Sequence, residues 1–505
     1  MTRRRIRSVL VANRGEIALR IIRTCRELGI RTIAVYSEAD RAASHVMAAD
    51  EAYCIGPPPS RESYLAAGTI IGTARRARAD AIHPGYGFLA ENPSFARMVR
   101  DAGIVFIGPS PESIAAMGDK TTARRLVQKA GVPTVPGTID ALRGVSGASA
   151  FAASAGFPVL LKAAAGGGGK GMRIVRTDNE LAAAFAAAQS EARAAFGDDR
   201  VYVEKYLDGP RHVEIQVIAD AQGHTLHLGE RECTIQRRHQ KIIEESPSVI
   251  VDDGMREAMG ATAVKAAMSC GYENVGTVEF LVDRDRCFYF LEMNTRLQVE
   301  HPVTEMRTGL DLVALQIAVA EGTPLPLGQD DVAFNGHAIE CRICAEDVEN
   351  GFLPATGRIL HLRTPGGAGI REDRGVGEGG EIPLYYDSMI AKLIAWAPGR
   401  AEAIARMSRA LAEYELLGVK SNVGLCRFVI DHPRFKAGDF TTHFLEEEFT
   451  PERLRTSDAR TGQAAAAVCA LLSQEGELAG APGRNGRPVL AGSRWKKGGR
   501  DFTET

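Results

Sequence analysis

No stretch of this 505-residue chain approaches the ~18 consecutive apolar residues of a membrane-crossing helix, so none is expected. The basic start, "MTRRRIRSVLVANRGE", leads into the apolar run "VLVA", too short for the core of a secretory signal. Excess charge is missing as well. There are 61 Lys and Arg against 63 Asp and Glu, a net of −2, so bulk electrostatics draw the chain neither to nucleic acid nor to an anionic membrane. The nine cysteines show no framework spacing, which excludes a disulfide scaffold and suits a reducing cytoplasm, the expected location. One CxxC exists, Cys341 and Cys344 in "HAIECRICAED", but that stretch alternates like a strand. Positions i and i+3 then face opposite ways, and neither a metal nor a redox site is expected there. No internal repeat is present.

The rest of the composition is ordinary for a globular protein, 45% hydrophobic and 25% charged, and the length implies two to four domains. The first hundred residues alternate strand and helix. "VLVA" reads as a buried strand. Ile17, Ile21, Ile22, Cys25 and Leu28 recur at helical spacing up to Gly29, and "TIAVY" is the next strand. "DEAYCIG", "ADAIHPGYGF" and "AGIVFIGPS" supply further strands, so a doubly wound α/β unit is expected. Its first turn, "NRGE", lacks the G-x-G-x-x-G dinucleotide fingerprint. "VPTVPGT" reads as a hinge into a second, strand-rich region with "VYVEKYL", "HVEIQVIAD", "HTLHLGERE", "VGTVEFLVD" and "CFYFLEMN". A third region begins near "NGHAIECRI" and carries the helix "AEAIARMSRALAEYEL". Beyond about residue 450 lies an Ala-, Gly- and Arg-rich tail, expected to be poorly ordered apart from one short helix.

"KAAAGGGGKGM", Lys162 to Met172, fits no standard phosphate loop. Gly171 stands where a Walker A loop needs Ser or Thr, and the "MRIVR" that follows reads as a strand, not as a helix. What remains is a strand–glycine loop–strand hairpin. Successive glycines let backbone N–H groups approach phosphate oxygens with no Cβ in the way, and they let the loop move as a lid. A plain flexible surface hairpin fits the same residues.

"VEFLVDRDRCFYFLEMN" reads as a second hairpin, turning at Asp283–Arg286. Pairing Val282 with Cys287 sets Glu279 opposite Phe290 and Thr277 opposite Glu292, so Glu279 and Glu292 are diagonal neighbours on one face. With Asn294 two residues along, they can converge on one hard cation, and Mg²⁺ is the expected ion. A loop one residue longer would put the acids on opposite faces. The stretch "EMNTRLQVEH" (292–301) continues the alternation through Arg296, Gln298 and Glu300, as a strand with one polar face. Glu292, Arg296 and Glu300 are also spaced i, i+4, as on a solvated helix with an ion-pair ladder.

The order of "VANRGEIALRI", "HPGYGFLAEN", "MGDK", "GGGGKGM", "RHVEIQV", "RRHQKIIEESPS", "EMNTRLQVEHPVTE", "ECRICAED" and "YYDSMIAKLI" resembles the ATP-grasp enzymes. Within them it resembles the biotin carboxylases, subunits of acetyl-CoA, propionyl-CoA and related carboxylases, over residues 5 to about 450. The resemblance implies a chain of α/β and α+β class: a doubly wound, Rossmann-like N-terminal domain (1–118), an ATP-grasp domain (119–335) with a glycine-rich lid at about 133–204, a mixed β-rich C-terminal domain (336–450), and an extension (451–505). It implies ATP, Mg²⁺ or Mn²⁺, bicarbonate, and biotin carried on a separate protein. The expected partners are a biotin carboxyl carrier protein, a second copy of the chain and a carboxyltransferase.

Residue by residue, the resemblance implies that Lys120 and Lys162 meet ATP phosphates under a lid containing Gly168 and Gly169. Glu204, Lys205 and Leu207 form an adenine-binding hinge. His212, Gln236 and His239 lie around ribose and phosphates, and Leu281 joins the cofactor-binding set. Glu279, Glu292 and Asn294 bind metal. Lys241, Arg296 and the Val299 backbone bind bicarbonate, Glu300 is the base, Arg296 is central to catalysis, and Arg342 meets bicarbonate and the biotin ureido group. Tyr86 and Gln298 lie near biotin. Departures are small: Ala165 where many relatives have Gly, and Lys170 where some have Arg. No "AMKM"-like attachment lysine exists; "AAMS" at 266–269 lacks the following Lys and sits in a helical pattern. His83 and Cys233 read as structural residues.

Overall fold

The computed structural model describes residues 4–138, 140–142, 144–164 and 172–454. The glycine lid, with Gly168, Gly169 and Lys170, and the tail beyond 454 lie outside the described residues. No helix among the described residues is long and apolar enough to cross a membrane.

The N-terminal part builds a five-stranded, all-parallel sheet, in order β3–β2–β1–β4–β5, from β1 (Ser8–Val11), β2 (Arg31–Ser37), β3 (Glu51–Gly56), β4 (Ala81–His83) and β5 (Val105–Phe106). Both faces are covered, which is why β1 is a continuous apolar run. Val9 and Val11 join one buried cluster and Leu10 the other. The first cluster also takes Ile17, Ile21 and Ile22 from the helix Gly15–Glu27, and Leu226, Leu228, Val275 and Leu297 from the middle of the chain. That helix ends as expected: Gly29 adopts φ +68 just beyond it.

Next come β6 (Val159–Ala163), β7 (Arg173–Val175) and β8 (Val201–Lys205), an antiparallel sheet in order β7–β6–β8. The ends of the glycine run are therefore two paired strands, as the hairpin reading requires. The largest sheet has eight strands, all antiparallel. Its first half is β9 (Arg211–Ala219), β10 (Thr225–Arg237), β11 (Gln240–Ser246), β12 (Asn274–Val282) and β13 (Phe288–Asn294). Its second half is β14 (His337–Cys344) and the strands Met389–Ala397 and Ile370–Arg374. β11 pairs with β14 through Ile243–Cys341, Glu244–Glu340 and Glu245–Ile339. The sheet thus runs unbroken past residue 335.

Two expectations need correction. β13 stops at Asn294; residues 295–300 form a turn, and a helix starts at His301. The stretch 292–301 is neither one strand nor a solvated helix. The second hairpin also differs: Val282 pairs with Phe288, so the loop is one residue longer than expected. A bulge then shifts the register between Phe280–Phe290 and Glu279–Glu292. The bulge adds a second one-residue shift to that of the longer loop, which restores the face, and Glu279 and Glu292 sit directly opposite each other, about 5 Å apart at Cβ.

Candidate active site

A cavity of about 1090 Å³ is lined by loops of the parallel sheet, by the β6–β8 sheet and by the large sheet. Tyr86, Lys120, Lys162, Glu204, Lys205, Leu207, His212, Gln236, His239, Lys241, Glu279, Leu281, Glu292, Asn294, Arg296, Gln298, Val299 and Arg342 all line it. Glu300 is fully buried just behind the wall, hydrogen-bonded to the lining residues Lys241 and Arg342.

Local structure explains each placement. Asn13 of "NRGE" donates through Nδ2 to the carbonyls of Pro84 (2.8 Å) and Tyr86 (2.7 Å), pinning "HPGYGF" with the Tyr86 ring at the cavity. Gly85 is required there: its φ is +64, and a Cβ would come within 3.0 Å of the Asn13 amide. β10 and β11 meet at a two-residue turn, Arg238 (φ +47) and His239 (φ +65), between the paired Arg237 and Gln240. Both turn residues take a left-handed backbone that Asn and Gly usually supply. The same hairpin sets Gln236 opposite Lys241. His239 is held below its ordinary value, first by burial and then by Lys162.

Lys241 is the hub. Its Nζ donates to Glu214 (2.6 Å), Glu300 (2.7 Å) and Glu279 (2.9 Å). Burial opposes its charge, but these carboxylates raise it well above the ordinary lysine value. Glu300 accepts a second bond, from Arg342 Nη2 at 2.9 Å. Burial would raise the Glu300 carboxyl; Lys241, Arg342 and Arg231 together hold it well below the usual range. Arg342 also bonds Glu244, at 2.6 Å. Arg231, fully buried, ties Glu214 to Gln216, Thr277 and Thr304. Glu279 accepts from Lys241, Asn294 (2.8 Å) and Gln298 (3.1 Å), with His212 Nε2 3.0 Å away.

Glu292 differs from its neighbours. Its carboxylate makes no hydrogen bond to a described side chain or backbone group, and burial and then Glu279 raise it, against Lys120. A pair of opposed carboxyls facing a cavity, one without a side-chain partner, is a donor set that fits a hard divalent cation. The deeper acids, Glu214 and Glu300, already hold Lys241 and need none. Asn294 fits less directly: its Oδ1 accepts from Arg296 Nη2 (2.9 Å) and its Nδ2 faces Glu279.

Arg296 is spoken for as well. Nε donates to Glu91 (2.8 Å) and Nη1 to Gln298 (2.8 Å), so its fork must exchange partners to take an anion. It is not paired with Glu300. On the opposite wall, Glu204 lies between Arg124 and Lys162, whose Nζ is 2.6 Å away, and Lys205 Nζ donates to the carbonyl of Gly156 at 2.9 Å. His83 is fully buried, neutral (held down to about 3 by burial) and accepts from Gly85 N–H. Cys233 is buried, with its thiol pushed well up by burial; no nucleophile is set up there.

Sequence reading missed Glu91, Glu214, Arg231 and Glu244, and it missed β11 as a strand. The signal for Glu214 was present: in "HVEIQV", His212, Glu214 and Gln216 alternate, and Glu214 pairs with Glu279 across β12.

Three family models match the chain: "Biotin carboxylase, N-terminal domain" over residues 5–114, "Carbamoyl-phosphate synthase L chain, ATP binding domain" over 119–327, and "Biotin carboxylase C-terminal domain" over 340–447. Biotin carboxylase of Nostoc sp. is 54% identical over 439 residues, 87% of this chain and 98% of that protein. The propionyl-CoA carboxylase alpha chain of Ruegeria pomeroyi is 49% identical over 485 residues, 91% of this chain and 71% of that one. The biotin carboxylase domain of Hydrogenobacter thermophilus 2-oxoglutarate carboxylase, a dimer with MgADP, ADP and bicarbonate, superposes with a TM-score of 0.84 at 50% identity, covering 88% of this chain and 97% of that one. With the cation-laced acid cluster, the strand order and the matched models in agreement, the chain belongs to the biotin carboxylase family of ATP-grasp ligases.

Proposed function

We propose that the chain carboxylates biotin on a separate carrier protein, using ATP and bicarbonate through carboxyphosphate, as the first half-reaction of an acyl-CoA carboxylase. The observation that carries this reading is the Lys241–Glu300–Arg342 cluster beside the Glu279–Glu292 pair: an anion-binding, base-bearing wall adjoining a metal-ready one.

Bicarbonate is a poor electrophile and must be activated. Lys120 and Lys162, which line the cavity, neutralise charge on the transferring phosphoryl of ATP. Glu279 and Glu292, with Asn294 once Arg296 releases its oxygen, would hold Mg²⁺. When bound, the ion supplies further charge neutralisation on the phosphates. Lys241, Arg342 and the Val299 N–H receive bicarbonate. An anion there shares the charge of both cations and loosens their hold on Glu300, raising its affinity for the bicarbonate proton as the oxygen attacks. Phosphoryl transfer then gives carboxyphosphate and ADP, and carboxyphosphate releases CO₂ and phosphate beside biotin. Arg296, freed from Glu91, offers a planar fork to the anion and to the developing charge on the ureido oxygen.

The Ruegeria alignment, which spans more of this chain than the Nostoc one, supports the acyl-CoA assignment. The runner-up is the corresponding component of a split pyruvate carboxylase, favoured by 54% identity to a pyruvate carboxylase subunit of Methanothermobacter thermautotrophicus. In either case a carrier protein, a carboxyltransferase and a second copy of the chain are the proposed partners. Phosphate release from ATP that requires both bicarbonate and free biotin tests the reaction; its absence in the purified chain refutes it. Pull-down of a carboxyltransferase and its acyl-CoA or pyruvate preference separates the two assignments.

A further inference from the structure

One buried cation behind the cavity wall has no part in the reaction so far described. Lys392, on the strand Met389–Ala397, is fully buried, yet its side chain ends at the active-site turn. Its Nζ donates to the Val299 carbonyl at 2.8 Å and lies 3.3 Å from Glu16 Oε2. Glu16 in turn accepts from the Tyr86 hydroxyl on the cavity wall.

We propose that Lys392 is a positioning residue for the bicarbonate site: by holding the Val299 carbonyl, it fixes the Val299–Glu300 peptide plane so that the Glu300 carboxylate reaches Lys241 and Arg342.

Either side of Val299 the turn is anchored: Glu91 accepts from the Thr295 N–H, Leu297 is buried in the core, and the Glu300 carbonyl accepts from the Val303 N–H. Residues 295–300 belong to neither strand nor helix. The Gln298 carbonyl is held by His301 Nδ1 at 2.7 Å. The next carbonyl, that of Val299, is held by Lys392 alone among the described residues. Two consecutive carbonyls held in this way set two successive peptide planes: His301 fixes the Gln298–Val299 plane, which carries the Val299 N–H, and Lys392 fixes the Val299–Glu300 plane, which leads into Glu300. The Val299 N–H has no acceptor among the described residues, and Val299 lines the cavity, so the plane held by His301 leaves a donor free for a bound anion while the plane held by Lys392 keeps Glu300 beside it. A neutral carbonyl alone does not repay burying an ammonium; Glu16 is the counter-charge that lets Lys392 stay there. The pair joins elements far apart in sequence, the first helix and the strand Met389–Ala397 of the large sheet.

The inference rests on the bicarbonate reading above, and the test keeps the two apart. Three variants are compared with wild type: Lys392→Met, Glu16→Gln, and the two combined, which removes both buried charges and so escapes misfolding from an unpaired one. ATP cleavage is titrated with bicarbonate at saturating ATP, nucleotide affinity is measured by calorimetry, and thermal melting is recorded. Lys392→Met and the double variant are expected to raise the KM for bicarbonate at least tenfold while ATP affinity changes less than twofold. The double variant should recover melting temperature without recovering that KM. A double variant that regains both, or a Lys392→Met protein with the wild-type KM, overturns the positioning role. Wild-type ATP cleavage that does not depend on bicarbonate overturns the underlying reading, and the inference with it.

Discussion

Replacing Glu300 by Gln keeps the volume of the side chain and removes its charge, and two separable losses follow. Glu300 is fully buried and accepts from Lys241 at 2.7 Å and Arg342 at 2.9 Å. A Gln can accept with one oxygen only; its NH₂ then faces the other cation. Breaking a buried pair costs about 3–5 kcal/mol when a charge is left alone. Here Lys241 keeps Glu214 and Glu279, and Arg342 keeps Glu244, so the low end, about 3 kcal/mol, is expected. In catalysis the loss is that of a general base, about 10²–10⁴-fold in bicarbonate-dependent ATP cleavage.

The pH dependence carries a sign. Because the Glu300 carboxyl is held well below its ordinary value of 4.5, its contribution to stability is in place above 4.5 and disappears as pH falls through the lower folded-state value. The gap in melting temperature between wild type and Glu300→Gln should therefore be constant near neutrality and close only in strong acid. Phosphate release and carboxybiotin formation, measured separately against bicarbonate, check the catalytic half. An enzyme within threefold of wild type in both assays refutes the base assignment, whatever its melting temperature.

Glu292→Gln should lower ATP turnover by roughly two orders of magnitude or more at ordinary Mg²⁺, through the lost ligand. It should also raise the melting temperature of the metal-free protein, since burial and Glu279 already disfavour that charge; an active variant with a lowered melting temperature counts against the metal site. Arg296→Lys keeps charge but not the fork, so carboxybiotin formation should fall more than ATP cleavage; equal losses would say the fork is unused. Glu340 is fully buried, both its oxygens lack partners, and its carboxyl is raised well above the ordinary value by burial. A raised acid costs stability progressively as pH climbs from 4.5 toward its folded value, so Glu340→Gln should gain melting temperature over wild type as pH rises, and a pH-independent difference refutes that. With no attachment lysine in the sequence, chain expressed beside a biotin ligase should give a blank streptavidin blot.

Much of the fold was open to reading because local signals and tertiary structure agree. Glycine at position 29 ends a helix of regular apolar spacing, and "VLVA" is apolar throughout because both faces of its sheet are covered. β11 was hidden for the opposite reason. The turn before it uses Arg238 and His239 at positive φ, where turn rules look for Asn or Gly, so no break in the chain announces a hairpin. Such a backbone is costly for Arg and His and persists only where the surroundings enforce it. The bulge in β13 is equally silent: Leu291 is an ordinary strand residue, yet it returns Glu292 to the face of Glu279. The sheet's passage through β11 to β14 was hidden too, since it depends on pairing residues almost a hundred positions apart.

The stretch 292–300 illustrates why the site was easier to assign than to derive. Its polar alternation looks like one strand, but each polar residue answers a different distant partner. Glu292 faces Glu279 across a bulged ladder, Arg296 reaches Glu91 205 positions away, and Glu300 reaches Lys241 and Arg342, 59 and 42 positions away. A strand carried through Glu300 would keep all of these on one flat face, and Glu300 would line the cavity as Glu292 and Arg296 do. The turn after Asn294 instead swings Glu300 behind the wall, where burial magnifies the pull of three cations, while Arg296 stays at the surface of the cavity. One short segment thus supplies an acid raised by burial and like charge, a cation held in reserve, and an acid depressed by its partners. The difference comes from the bend, which local periodicity does not encode.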